Sequence, residues 1–183
     1  MSTKKASQQK KSKKEETLPY AHEKSDIAAA IRTCRAIINL DLFKLHSDRT
    51  VQKALFTELV IHLNDLLQKS ADAGNRISFN DEIDPALDMD VTDLVNKIRI
   101  CCCHLSTPQS LNQGGKFSWN LSYNNVPESV LNGQPSTSPT IDVSINYGVY
   151  FVHYERHMLR AFKQAEHYFL EVQKDPEVLR SIY

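Results

Sequence analysis

The chain has 183 residues with five glycines and four cysteines, enough for one domain of ordinary size with its own core. Lys+Arg and Asp+Glu both number 22, so the net charge is zero, which excludes a uniformly basic coat for nucleic acid. The first glycine is Gly74, which rules out an N-terminal P-loop or dinucleotide fingerprint, and neither follows later, since Gly114-Gly115-Lys116 runs into Phe117.

Residues 1–24 hold seven Lys and three Glu with almost nothing apolar before Leu18. Such a segment cannot offset its own ordering entropy, which predicts a disordered Lys-rich tail. Lys10-Lys11-Ser12-Lys13-Lys14 is a solubilising run, a nuclear signal or a weak electrostatic anchor for RNA. The four surplus positive charges in this tail leave residues 25–183 with four surplus negative ones.

From Ser25 the apolar residues Ile27, Ala30, Ile31, Cys34, Ile37, Ile38, Leu42 and Leu45 recur in steps of three and four, predicting an amphipathic helix that ends near Ser47. Asp48 is a good N-cap for a second helix with Val51, Leu55, Leu59, Leu63, Leu66 and Leu67 on one face, closed by Ala73-Gly74-Asn75. Two long helices joined this tightly form an antiparallel hairpin. Residues 76–89 read as irregular, and Asp90 opens a third helix with Val91, Leu94, Val95, Ile98, Cys102 and Leu105 inward and Pro108 near its end. From Gly114 the period changes to two. Phe117, Trp119, Leu121 and Tyr123 alternate with polar residues, as do Ile141, Val143, Ile145 and Tyr147, predicting a two-stranded antiparallel ribbon with a long 124–140 loop. A fourth helix follows Gly148 and runs to about Lys174, before Asp175-Pro176. The expected fold is mainly all-α: a four-helix bundle over 25–183, with a β insertion at about 114–147 between the third and fourth helices.

No stretch approaches the ~18 apolar residues of a membrane span, and the first residues lack the apolar core of a secretory signal. Cys34 and the run Cys101-Cys102-Cys103 are no disulfide framework. These features predict a reducing, cytoplasmic setting without a membrane. Three consecutive cysteines on a helix point about 100° apart and do not all converge on one metal, and zinc binding by part of this cluster with His104 is the lesser alternative, without a CxxC pair.

One grouping concentrates chemistry: Arg99-Ile100-Cys101-Cys102-Cys103-His104, late in the third helix. Five helical steps turn through about 500°, so Arg99 and His104 flank the buried stripe about 140° apart. An imidazole that titrates near neutrality moves protons, and a guanidinium stabilises charge on a pentavalent phosphate, which together suit phosphodiester cleavage. An exposed Arg and a half-buried capping His fit the spacing as well. A second cationic grouping, His153, Arg156, His157 and Arg160, has the i, i+3, i+4, i+7 spacing of one helical face. It is either a solvated basic face or a phosphate-binding stripe for RNA, and His153 with His157 also has the spacing of a metal pair, without an HExxH pattern. Trp119, Tyr123, Tyr147 and Tyr150 either stack bases or pack the ribbon onto the bundle.

An Arg-x4-His motif late in the third helix of a four-helix bundle, after a helical hairpin, resembles the HEPN superfamily (higher eukaryotes and prokaryotes nucleotide-binding), over roughly residues 25–110 and 148–174. The resemblance implies a metal-independent endoribonuclease of the toxin or phage-defence kind, requiring no cofactor. Arg99 and His104 would then be catalytic, with two copies of each meeting across a homodimer. The implied reaction is attack of the RNA 2′-hydroxyl on the adjacent phosphorus, and the implied partners are RNA and an antitoxin or other regulatory protein. Ile100 stands where the family often has a polar residue, which favours a second reading, a catalytically inactive HEPN-like module binding a protein partner or nucleotide. Ser106 stands where one toxin group has a tyrosine, so modification of a tyrosine there is not expected.

Overall fold

The computed structural model describes residues 21–45, 48–103, 119–127, 139–147 and 149–182. The tail up to residue 20, His104, the segment around Pro108, Phe117 and the 128–138 linker lie outside the described residues. The rest is mainly helical with a small antiparallel sheet, and no described helix is long and apolar enough to cross a membrane.

Helix α1 (Ala21–Asn39) buries Ala28, Ile31, Cys34 and Ile37. The expected continuation to Ser47 is interrupted. Asp41 takes a left-handed φ of 47°, which breaks the hydrogen-bond ladder, and a separate single turn α2 (Leu42–Leu45) follows. Helix α3 (Arg49–Asp72) starts where Asp48 predicts, with its carboxylate accepting from the Thr50 and Val51 amides at 2.7 and 3.4 Å. It ends in a Schellman arrangement: Asn75 N–H donates to Ser70 C=O at 2.8 Å, and Gly74 N–H to Ala71 C=O at 2.9 Å. Gly74 supplies the required positive φ, 83°. Lys69 near the end of α3 reaches Asp26 near the start of α1 at 3.8 Å, so the two helices run antiparallel as expected.

The segment 76–89, expected to be irregular, is pinned. Ile77 and Ile83 are buried, and a 3-10 turn covers Pro85–Leu87. Arg76 pairs with Asp90 at 2.8 Å and Asp93 at 2.9 Å, and Thr92 Oγ1 donates to Ile77 C=O at 2.6 Å. Helix α4 (Val91–Cys103) then buries Val91, Leu94, Val95, Ile98 and Cys101 against α3. Asp90 caps it by accepting from Asp93 N–H at 2.9 Å.

Strands β1 (Trp119–Pro127) and β2 (Pro139–Tyr147) pair antiparallel over their whole length, from Trp119 opposite Tyr147 to Pro127 opposite Pro139. The expected two-stranded ribbon has a third member. Tyr150–His153 forms β3, paired with Ser144–Tyr147 of β2, where a helix was expected. The opposition of Tyr147 and Tyr150 makes the connection between β2 and β3 short. Tyr147 and Tyr150 are buried, so they pack the sheet onto the bundle.

The fourth helix of the bundle starts at Tyr154, directly from β3. Its central α-helical part is α5 (Arg160–His167), flanked by π-helical turns at Tyr154–Leu159 and Tyr168–Val172. The second π turn buries three consecutive residues, Tyr168, Phe169 and Leu170, and closes with Gln173 N–H on Tyr168 C=O. Asp175-Pro176 ends this helix and opens another, α6 (Pro176–Ile182), with Pro in the first helical position and Asp175 accepting from Glu177 N–H at 2.9 Å. Val178 is buried, Lys24 pairs with Asp175 at 2.8 Å, and Arg32 donates to the Ser181 carbonyl, which fastens α6 to α1.

Candidate functional site

Arg99 sits eight residues into α4, about 12 Å along the helix from Val91. It is half-buried. Its Nε is sealed from solvent without a hydrogen-bond partner, and no ion pair joins Arg99 to a described residue. A buried guanidinium N–H without an acceptor is costly. Its intended partner, His104, follows the last described residue of α4.

The thiols between them occupy three environments: Cys101 is buried, Cys102 half-buried and Cys103 exposed. They diverge as a helix requires, and among the described residues no three His, Cys, Asp or Glu side chains converge as a metal cage. Burial pushes the Cys102 thiol up to about 11, against opposing hydrogen bonds with Tyr147 and Thr57. Burial likewise pushes Cys34 up to about 12. Neither is a ready nucleophile at neutral pH.

The second cationic grouping lies at the other end of α4. The Phe79 carbonyl accepts from the Val91 amide at 2.8 Å, which brings the 79–82 turn beside the start of α4. Against this turn lie the end of β3 and the beginning of the last long helix. His153 is the last residue of β3, while Arg156 and His157 ride the first π turn and Arg160 opens α5. His153, Arg156 and His157 meet and Arg160 pairs with the same 81–82 turn, but the four do not share one helical face as expected, since His153 ends a strand and the next turn is π-helical, and they do not form a solvated stripe. His157 is fully buried, and His153 nearly so.

The ring of His157 is fixed by two contacts. Its Nδ1 accepts from the His153 amide at 3.1 Å, and its Nε2 lies 2.8 Å from the Asp81 carbonyl. A carbonyl only accepts, so Nε2 carries the hydrogen and the ring is neutral. Burial pushes its pKa below the ordinary value, with the Asp81 carbonyl opposing. Arg156 pairs with Glu82 and places Nη2 at 3.0 Å from His153 Nδ1, while His153 Nε2 lies 3.3 Å from Glu82. Arg160 pairs with Asp81 and stacks over the Phe79 ring at 3.9 Å. Glu82 holds a left-handed φ of 61°, which costs about 1–2 kcal/mol for a residue with a Cβ. The cluster over-determines that strained conformation.

Sequence reasoning found both groupings but missed the acids that face the second one. Glu82 lies 74 positions before Arg156, and Asp81 79 before Arg160. No local spacing encodes such pairs. The two groupings also fail to join: among the described residues no hydrogen bond or ion pair links Arg99 to the His153–Arg160 cluster.

A separate cavity of about 320 Å³ opens between α1, the end of α3, the second π turn and α6, beside Lys24, Lys69, Phe169 and Asp175. Its lysines are already paired, with Asp175 and Asp26.

No protein-family model matches this chain, and no curated protein or solved structure shows a significant match.

Proposed function

We propose that the protein is an endoribonuclease of HEPN type that cleaves RNA without a metal at a site made by Arg99 and His104 from two copies of the chain. The observation that carries this reading is Arg99, a half-buried guanidinium with an unpartnered Nε, five residues before His104 in the Arg-x4-His motif. In the proposed complex a phosphate oxygen meets the Nη groups of Arg99, since Nε is sealed from solvent. In the proposed reaction one neutral His104 takes the proton from the RNA 2′-hydroxyl as its oxygen bonds to phosphorus. The other His104, protonated, donates to the departing 5′ oxygen as that P–O bond breaks. The products are a 2′,3′-cyclic phosphate and a 5′-hydroxyl, and the two Arg99 groups hold the charge of the pentavalent phosphorane. A role as a toxin or defence effector, silenced by an antitoxin or other regulatory protein, belongs to the same proposal.

The test uses labelled single-stranded RNA with purified protein in EDTA. Wild type should cut and leave cyclic-phosphate ends, while Arg99→Ala and His104→Ala should each lose at least about a hundredfold in rate. Equal cutting by all three proteins removes the assignment.

The internal neutralisation of Arg156 and Arg160 by Glu82 and Asp81, together with Ile100, favours a second reading: an inactive module of the same kind that binds a protein partner or nucleotide. Absence of cutting by a well-folded wild type would favour it.

A further inference from the structure

The cavity between α1, the end of α3, the second π turn and α6 has a volume of about 320 Å³, at the small end of the range for ligand pockets. Its walls are apolar, made by Ile27, Ala73, Phe169 and Val178. Phe169 and Val178 belong to the buried core, so the floor of the cavity is set by core packing. The charges that line the cavity or pair with its lining residues are Lys24 and Lys69 against Asp26, Asp72, Asp175 and Glu177, a surplus of two carboxylates. The Lys24 ammonium lies 2.8 Å from Asp175 and 3.5 Å from Glu177, and that of Lys69 lies 3.8 Å from Asp26. Asp72 differs from the other acids. It is exposed and makes no hydrogen bond or ion pair with a described residue. It also stands in the last turn of α3, where the negative end of the helix dipole disfavours a carboxylate. Gln173 adds a second acceptor. The Tyr168 hydroxyl donates to the Ala73 carbonyl at 3.3 Å, so it accepts from Gln173 Nε2 at 2.7 Å, which leaves Oε1 as the open end of that amide.

We propose that this cavity binds a small amphiphilic amine, its ammonium held by the Asp72 carboxylate and the Gln173 amide oxygen and its apolar body, about one aromatic ring in size, packed on Ile27, Phe169 and Val178. Burial of the body supplies most of the attraction, and the surplus of carboxylates selects the sign of the head. The ammonium also meets the carbonyl end of α3, where the dipole favours positive charge. The site shares no residue with Arg99 or with the His153–Arg160 cluster, so it stands apart from the reading of RNA as substrate.

The experiment titrates the full chain by calorimetry at neutral pH with 2-phenylethylamine, and separately with 3-phenylpropionate, which carries the same ring and the opposite charge. The amine should bind, and the carboxylate should bind at least about tenfold more weakly. Asp72→Asn removes a charge that the helix end disfavours, so it folds at least as well as wild type, and it should weaken the amine by about fivefold or more. Asp65→Asn removes an exposed carboxylate two turns earlier on α3, outside the cavity, and should leave the amine affinity unchanged. Ala73→Phe sets a ring at the mouth of the cavity, on an exposed residue whose φ of −79° suits any side chain, and should block the amine. Phenylpropionate binding as tightly as the amine would give the cavity to its lysines and overturn the proposal. So would the absence of binding by the amine at millimolar concentration, or an amine affinity that survives either Asp72→Asn or Ala73→Phe.

Discussion

His157 shows how one side chain can be committed to a single protonation state. Both ring nitrogens are satisfied only when the ring is neutral, because a proton on Nδ1 would face the His153 amide that now donates to it. Burial is the largest influence lowering its pKa, with His153 and Arg156 adding to it and the Asp81 carbonyl and Glu82 opposing. The unfolded chain takes up this proton near pH 6.5, whereas the folded chain does so only at lower pH. Stability from this residue is therefore complete above about pH 6.5 and is lost as pH falls toward the depressed value. Urea midpoints at pH 7.5 and 5.5 should show the loss, at most about 1.4 kcal/mol per pH unit, and His157→Gln should reduce the difference between the two pH values. An identical difference in the variant would remove His157 from the account. The cysteines give a second residue-scale expectation. With Cys34 and Cys102 pushed up to about 12 and about 11, and Cys101 buried, native protein at neutral pH should offer one rapidly labelled thiol, Cys103, identified by mass mapping. Two fast thiols would contradict the burial pattern.

Among the elements, Gly74 isolates a backbone effect cleanly. A Cβ added there meets nothing within 4 Å, so Gly74→Ala should cost about 1 kcal/mol through its positive φ alone, and Gly74→Asn less. Equal stability of all three in urea would mean the end of α3 can refold around another cap. Elements with such local signals could be read from the sequence. Asp48 and Asp90 announce α3 and α4, Gly74 closes α3, and the period-two alternation locates β1 and β2. The misses have physical causes. Tyr150–His153 is an aromatic and β-branched run too short to show a period, and its strand state comes from pairing with β2. The break at Asp41 depends on a backbone angle that no spacing reveals. The π turns matter too, because they let neighbouring residues such as Tyr168, Phe169 and Leu170 share the interior, which an ideal helix forbids. Asp175-Pro176 was readable as an end, but the same pair is also a cap followed by proline and starts α6.

At the scale of the whole molecule the two cationic groupings lie apart. Arg99 stands toward the end of α4 and the His153–Arg160 cluster beside its start, because the 79–82 turn and β3 meet there. The closeness of His153, Arg156 and His157 could be read from their short spacing, though not the strand that holds His153. The burial of His153 and His157 and their acidic counterparts could not be read, since these depend on contacts across more than seventy positions. The proposed reaction needs two copies. Light scattering at the concentration of the cleavage assay should therefore give twice the chain mass for wild type and for Arg99→Ala alike. A strict monomer that still cuts would require both proton-transfer groups from one chain.

The unequal lengths of the strands carry a kinetic consequence. β2 is flanked on both sides only over Ser144–Tyr147, where β3 lies opposite, while Pro139–Val143 has β1 alone. Solvent reaches backbone amides through local opening, and opening is easiest where fewest neighbours must part. Deuterium uptake should divide this single strand into a slow half near Tyr147 and a fast half near Thr140, so that the ribbon frays from its far tip inward while its base stays shut.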